Sequence, residues 1–135
     1  MNNKIIYKVY FSIFGNEFNL NVFNKIIGVI PSDTYIKGEM GKYARYKETS
    51  WSYVIEEYEN LNLDDLTRRL LRIFDNKKEL LKKYAEKNNL EIRFSVVFNI
   101  YDSIIPSLYI DKKFLNFLSF LNCDIDFDGY LLSVG

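Results

Sequence analysis

The chain contains no histidine, and its 135 residues include a single cysteine, Cys123. Histidine and cysteine supply many of the general acid–base groups, nucleophiles and transition-metal ligands of enzymes. Their scarcity argues against an enzyme of these familiar kinds, and we expect a non-catalytic protein without a metal or cofactor. A single cysteine also excludes an intramolecular disulfide, so the fold does not require an oxidising compartment.

The chain also lacks net charge and long apolar runs. Its 18 basic and 18 acidic side chains cancel, and the pI is near 6.3, whereas a general nucleic-acid binder carries a basic excess. No segment approaches the ~20 apolar residues of a membrane-spanning helix, and residues 1–14 alternate like a strand rather than form a signal peptide. We therefore expect a soluble, cytoplasmic protein that binds neither membranes nor nucleic acid.

Apolar and aromatic residues are plentiful. Hydrophobic residues make up 48% of the chain, and 135 residues suit one domain over residues 1–135 with a substantial core. The eleven tyrosines are many to bury, because each buried hydroxyl needs a hydrogen-bond partner. Some tyrosines should therefore lie at the surface, where they suit protein contacts. Five residue types with AT-rich codons, Asn, Lys, Ile, Tyr and Phe, supply 64 residues, which indicates a bacterial source.

Two segments alternate between apolar and polar residues, as strands with one buried face do. They span residues 4–14 and 90–101. In the second segment Ile92, Phe94 and Val96 share one face, and Arg93 and Ser95 the other. Weaker patterns predict further strands at residues 46–58 and 124–133 and shorter pieces at residues 29–31, 34–36 and 107–110.

Three segments have the apolar spacing of amphipathic helices. Each is preceded by a residue of a type that is common at the N-cap position. The caps are Asn19, Asn62 and Asp111. Asn76 should interrupt or bend the second helix, which continues to about Asn88. The predicted buried stripes are Phe23, Ile26 and Ile27 in the first helix, Leu63, Leu66, Leu70 and Ile73 in the second, and Phe114, Phe117, Leu118 and Leu121 in the third.

The order of these elements predicts an α+β fold, with helices packed on one face of a mostly antiparallel sheet. The segments around residues 18–27 and 110–121 both run strand, capped helix, strand. This repeated order is compatible with a degenerate internal duplication.

Several short motifs are spread along the chain, and Thr49-Ser50-Trp51-Ser52 on a strand is the most specific of them. The other motifs are Gly15-Asn16, Pro31, Thr34, Lys37-Gly38, Leu61-Asn62-Leu63, Pro106-Ser107-Leu108 and Tyr130-Leu131. In these motifs the chain resembles an uncharacterised bacterial family, the domain-of-unknown-function family numbered 4279. The resemblance covers nearly the whole chain and implies no activity. By analogy with small bacterial domains encoded beside toxins, it suggests an immunity-type role.

A candidate ligand-binding site surrounds the only tryptophan. It comprises Arg45, Lys47, Thr49, Ser50 and Trp51. An aromatic anchor with charged and hydroxyl neighbours is typical of binding sites. The alternative, which we favour, is a tryptophan in the core, because large aromatic side chains usually bury. The neighbouring loop at residues 33–38 is the second place where a small ligand could bind.

A candidate protein interface lies in an acidic run without Lys or Arg between Glu48 and Asp65. Its central residues are Glu56, Glu57, Tyr58 and Glu59. A basic partner could dock on such a surface. The alternative is a polar strand end followed by a helix N-terminus, which attracts acidic side chains.

Three other patterns have simple structural explanations. The basic side chains of residues 68–87 could contact phosphates, but spaced ion pairs on a solvated helix explain them better. Residues 124–129 match the start of a calcium loop, yet the twelfth position is Gly135 rather than the required Glu, which favours a solvated strand face. Cys123 directly follows an apolar helix and should be a buried, unreactive thiol.

Together these observations predict a non-catalytic bacterial binding protein that contacts another protein, with an immunity-type role as its sharpest form. The alternative is a small-molecule-binding or sensor module with a pocket near Trp51.

Overall fold

The computed structural model describes residues 5–56, 62–101 and 106–132. These residues form five strands and four α-helices in an α+β arrangement. The strands are β1 (Ile5–Gly15), β2 (Asp33–Tyr35), β3 (Thr49–Glu56), β4 (Glu91–Tyr101) and β5 (Asp124–Leu132). The helices are α1 (Leu20–Ile27), α2 (Leu63–Phe74), α3 (Lys78–Asn88) and α4 (Lys112–Phe120).

The five strands form one sheet in the order β2-β3-β1-β4-β5. The pairs β2–β3, β3–β1 and β1–β4 are antiparallel, and β4–β5 is parallel. The prediction of a mostly antiparallel sheet is therefore confirmed. The first strand of the chain is its centre, and β2 and β5 are its edges.

The alternation of β1 and β4 places every second side chain in the core, as predicted. Val9 and Phe11 of β1 and Phe94 and Val96 of β4 have no exposed surface. They lie in direct register, with Val9 opposite Val96 and Phe11 opposite Phe94. Two adjacent central strands thus present one continuous apolar surface.

All four helices pack on this apolar side of the sheet, and together they form the helical layer. Phe74 of α2 and Phe117 of α4 contact Phe11, with ring centroids 4.7 and 5.8 Å apart. Phe23 of α1 meets Trp51 of β3 edge-to-face at 5.2 Å. Helix α3 contacts α1 through the rings of Tyr84 and Phe23, whose centroids are 5.0 Å apart, and it buries Leu81 and Ala85 in the core. The prediction of helices on one face is confirmed.

The three predicted N-caps are all present. The side chains of Asn19, Asn62 and Asp111 accept hydrogen bonds from the backbone N–H groups three residues later, at 2.9–3.1 Å. A 3₁₀ turn at Asp75–Lys77 separates α2 from α3, so the predicted interruption at Asn76 is also confirmed.

Replacing Asn62 with alanine should lower the free energy of unfolding by about 0.5–2 kcal/mol, because the N–H of Asp65 loses its only cap. Chemical denaturation of the purified protein measures this change. Asn76→Ala, at an exposed position, is the matched control and should change the stability by less than about 0.5 kcal/mol. Equal losses in the two variants would contradict a specific capping role.

Other local predictions were wrong. Residues 107–110 form no strand; instead, the Ser107 carbonyl accepts a hydrogen bond from the buried Tyr7 hydroxyl at 2.9 Å. Residues 29–31 form no strand either. Strand β3 begins at Thr49 rather than Tyr46, because Tyr46 pairs with Glu39 in a preceding loop. Ile26 is exposed on α1 rather than part of its buried stripe.

The two strand–helix–strand passages, β1-α1-β2 and β4-α4-β5, are arranged differently in the sheet. In the first passage β3 lies between the two strands, whereas in the second β4 and β5 pair directly. Among the helices of residues 5–56, 62–101 and 106–132, none is long and apolar enough to cross a membrane.

Candidate functional site

Trp51, the centre of the predicted ligand site, lies in the core with no exposed surface. Its indole Nε1–H donates a 2.8 Å hydrogen bond to the side-chain oxygen of Asn24 on α1. Phe23 and Phe74 meet the indole edge-to-face. The side chain therefore ties β3 to the helical layer, which is the structural alternative that we favoured.

The other four residues of that predicted site are not brought together. Thr49 is buried beside Trp51 and accepts a hydrogen bond from the Lys37 backbone N–H at 3.1 Å. Arg45 lies in an exposed loop and donates to the Gly38 carbonyl at 2.8 Å. Lys47 is exposed at the end of that loop, and Ser50 points to the opposite side of the sheet.

The predicted acidic interface is described only in part. Glu56 ends β3 and lies 3.5 Å from the ammonium group of Lys8. Glu57, Tyr58 and Glu59 lie outside the described residues. Asp64 and Asp65 open α2 on the helical layer, so the acidic run is divided between the two sides of the sheet.

The side of the sheet opposite the helical layer carries a wide polar surface, which we call the open face. Its members are identified by register, because residues opposite each other in a sheet share a face. One row crosses all five strands, and further rows run above and below it. That row is Asp33, Ser52, Ser12, Arg93 and Asp124.

The open face is strongly acidic although the whole chain is neutral. Its strand residues include six carboxylates and two basic side chains, Lys8 and Arg93, which leaves a formal charge of −4. The basic side chains between positions 68 and 87 belong instead to the helical layer. The molecule is therefore electrically polarised, acidic on the sheet and basic on the helices. The six carboxylates are Asp33, Glu56, Glu91, Asp124, Asp126 and Asp128.

Aromatic side chains lie among these charges. The prediction that some tyrosines lie at the surface is confirmed, because Tyr35, Tyr43, Tyr109 and Tyr130 are exposed. The aromatic residues of the open face are Tyr10, Phe14, Tyr35, Tyr101 and Tyr130.

Both edges of the open face carry the same local arrangement. Tyr35 donates a hydrogen bond to Asp33 at 2.8 Å on β2, and Tyr130 donates to Asp128 at 2.7 Å on β5. In each pair the hydrogen bond to the carboxylate raises the pKa of the tyrosine. Both tyrosines therefore remain protonated donors well above neutral pH, and each holds its carboxylate in place.

The centre of the open face is held by polar contacts between strands. The hydroxyls of Ser12 and Ser52 are hydrogen-bonded at 2.8 Å. Arg93 lies over the Phe14 ring at 4.7 Å and within 3.9 Å of Asp124. The side chain of Tyr10 first, and the Glu56 carboxylate after it, raise the pKa of Lys8.

A shallow depression of about 390 Å³ lies within the open face. It is lined by side chains of β1, β3, β4 and β5, including Tyr10, Ser50, Arg93 and Asp126. Ser50 is thus the one residue of the predicted ligand site that reaches a surface hollow on this side. The hollow is open along much of its extent, which suits an extended partner better than an enclosed ligand.

The aspartates of residues 124–129 are part of β5 rather than a calcium loop. Alternation puts Asp124, Asp126 and Asp128 on the open face, with Ile125 and Phe127 on the other side. Among the residues that the structure describes, no group of three or more metal-ligating side chains is assembled. The interpretation as a solvated strand face is therefore the one that fits.

Cys123 lies between α4 and β5 as a free thiol. Burial raises the pKa of this thiol to about 12. Its thiol donates to the Asp124 carbonyl, with Sγ 3.3 Å from the carbonyl oxygen. The group is protonated at neutral pH, but the side chain is half-buried rather than fully buried as the sequence predicted.

Sequence reasoning missed the open face as a whole. Its carboxylates come from four strands that are far apart in the chain, and only the strand order brings them together. The available signal was the polar half of each alternating strand, such as Lys8, Tyr10 and Ser12 in β1.

A family model described as a domain of unknown function (DUF4279) matches residues 5–132. No curated protein and no solved structure gives a significant match.

Proposed function

This chain belongs to the DUF4279 family of domains of unknown function, and we propose that it is a non-catalytic domain that binds another protein through its open face. The observation that carries the proposal is the asymmetry of the sheet. One side is covered by four helices, and the other presents aromatic residues within an acidic field. Such a surface is complementary to a basic protein.

The size of the open face suits this role. Four long strands at about 4.8 Å spacing and about 30 Å length give on the order of 600 Å². Each partner in a standard protein interface contributes about 800 Å², so the open face could provide most of one. Tyr10 lies near its centre, between Val54 of β3 and Ser95 of β4, where interface aromatics contribute most.

The non-catalytic part of the proposal rests on chemistry. The chain has no histidine, and its one thiol stays protonated well above neutral pH, because burial raises the Cys123 pKa to about 12. Neither of the usual nucleophile–base pairs can be assembled from these groups.

The sharpest form of the proposal is a bacterial, cytoplasmic immunity-type protein that covers a basic surface of a toxin. The acidic open face and the abundance of residue types with AT-rich codons support this form. Acidic inhibitors that dock on basic enzymes use the same electrostatic principle, fast steering and charge complementarity.

A second candidate is a small-molecule-binding or sensor module. The depression of about 390 Å³ supports it, because its volume falls in the range of ligand sites. Its location differs from the pocket predicted near Trp51, since the hollow lies on the other side of the sheet. A small molecule released by denaturing the purified protein would favour this candidate.

Capture of the partner from the source cell tests the protein-binding proposal. We expect the tagged chain to retain one stoichiometric protein at moderate salt. Tyr10→Ala and Glu56→Lys should each weaken this complex at least tenfold, because the first removes a central aromatic contact and the second reverses an acidic charge.

Glu86→Lys is the matched control, since it makes the same charge change at an exposed position of α3 on the helical layer. It should leave the complex intact. Equal retention by all three variants would contradict the open face as the interface. Catalytic turnover that a single substitution abolishes, with the fold intact, would overturn the non-catalytic proposal.

A further inference from the structure

The two edges of the sheet differ in how they are protected against pairing with another strand. Strand β2 has three residues and follows Pro31 closely. Short edge strands and nearby proline are common protections. Strand β5 has nine residues and contains no proline, lysine or arginine. Within residues 5–56, 62–101 and 106–132, no strand pairs with its outer edge.

Strand β5 is also exposed along its whole length, on both of its sides. On the side of the helical layer, Ile125 and Phe127 are 38% and 44% exposed, although they lie opposite the buried Phe94 and Val96. On the open face, the same strand presents three aspartates. The edge therefore combines free backbone groups, an apolar stripe and an acidic stripe.

These three features define the strand that would fit. Its backbone would pair with β5, its apolar side chains would cover Ile125 and Phe127, and its alternate residues would meet Asp126 and Asp128. Those alternate residues must be basic to match the aspartates. The fitting segment is an extended one in which lysine or arginine alternates with apolar residues.

A second copy of this chain fits less well. In the antiparallel pairing that a twofold axis produces, both open faces lie on the same side of the joined sheet. The three aspartates of each copy would then face those of the other, and like charges across paired strands are destabilising. Acidic side chains on β5 thus discourage self-association while leaving the edge available to a basic strand.

We propose that β5 is a strand-addition site, where a basic, alternating segment of the protein partner extends the sheet. This inference rests on the proposed function and names the binding mode. Pairing with β5 would place the basic side chains of the segment at the margin of the open face. The main-chain hydrogen bonds supply affinity, and the two stripes supply specificity.

A labelled nine-residue peptide with lysine at odd positions and valine at even positions is the probe. We expect saturable binding by fluorescence anisotropy at 150 mM salt, with slower hydrogen exchange of β5 amides in the complex. Asp126→Lys combined with Asp128→Lys should weaken binding at least tenfold. The corresponding glutamate–valine peptide should bind this double variant and not the original protein.

Two controls separate strand pairing from charge attraction. N-methylation of two adjacent central residues of the peptide blocks hydrogen bonding along both of its edges and should weaken binding at least tenfold. Glu79→Lys combined with Glu86→Lys makes the same charge change on exposed positions of α3 and should weaken binding less than threefold. Absence of saturable binding, or affinity unchanged by N-methylation, would overturn the proposal.

The two proposals fail in distinguishable ways. A cellular partner that is lost in Glu56→Lys, with no binding of the lysine–valine peptide, overturns strand addition and leaves the protein-binding function standing. The opposite result is peptide binding at β5 together with a cellular complex that Tyr10→Ala and Glu56→Lys do not weaken. It supports the edge site and overturns the open face as the interface.

Discussion

Replacing Trp51 with alanine should lower the free energy of unfolding by about 3–5 kcal/mol. The indole has no exposed surface, and it contacts Phe23 of α1 and Phe74 of α2. Alanine would leave a cavity where the sheet meets both helices, and Asn24 would lose its hydrogen-bond donor. Urea denaturation of the two proteins measures the difference.

Two further variants divide this effect into its parts. Asn24→Ala removes the acceptor of the indole N–H and leaves that buried donor unpaired, which should cost about 1–3 kcal/mol beyond any change in helix propensity. Tyr43→Ala removes an aromatic side chain that is 87% exposed and should cost less than about 0.5 kcal/mol. A loss below about 1 kcal/mol in Trp51→Ala would contradict the core position of this side chain.

The Cys123 thiol should react with an alkylating reagent at least tenfold more slowly in the folded protein than in the unfolded chain at pH 8. Burial raises its pKa from 9.0 to about 12, and each pKa unit lowers the thiolate fraction about tenfold. Mass spectrometry of iodoacetamide-treated samples, with and without urea, measures the two rates. Similar rates in both samples would show that the thiol is accessible and ionisable.

The same shift makes stability depend on pH. The unfolded thiol loses its proton near pH 9 and the folded thiol only near pH 12, so the folded state holds more protons between these values. The thiol therefore stabilises the fold fully below pH 9, and this contribution is lost as the pH rises toward 12.

Cys123→Ala provides the reference, because tyrosines and lysines also titrate in this range. The melting temperature of the original protein should fall more steeply between pH 8 and pH 10.5 than that of the variant. Parallel curves would contradict the raised pKa.

Local patterns predicted the helices and strands well where the signal was a residue with a specific local role, such as an N-cap, or a strict alternation. Asn19, Asn62 and Asp111 each precede an apolar helical stripe, and each caps a helix. The strict alternation from Ile92 to Val96 required one buried face, and β4 has it. These signals depend on neighbours within a few residues, so the sequence contains them in full.

Features that depend on distant contacts were not predictable in the same way. The carbonyl of Ser107 accepts a hydrogen bond from Tyr7, 100 residues earlier. No local sequence pattern predicts that contact. The candidate site was affected most. Glu56 belongs to the acidic run noted in the sequence, whereas Asp33 and Asp126 join it on the open face only because β1 and β4 lie between their strands.

The position of β1 at the centre of the sheet sets the timing of folding during synthesis. Tyr7 pairs with Phe98, so β4, the second neighbour of β1, does not exist until all the elements between them have been made. At about 5–20 residues per second, roughly 5–20 seconds pass between the synthesis of β1 and that of β4, and during this time one edge of β1 has no strand to pair with. Such late, long-range pairing also slows folding. Cells that make this protein must therefore keep an incomplete sheet from aggregating while translation continues.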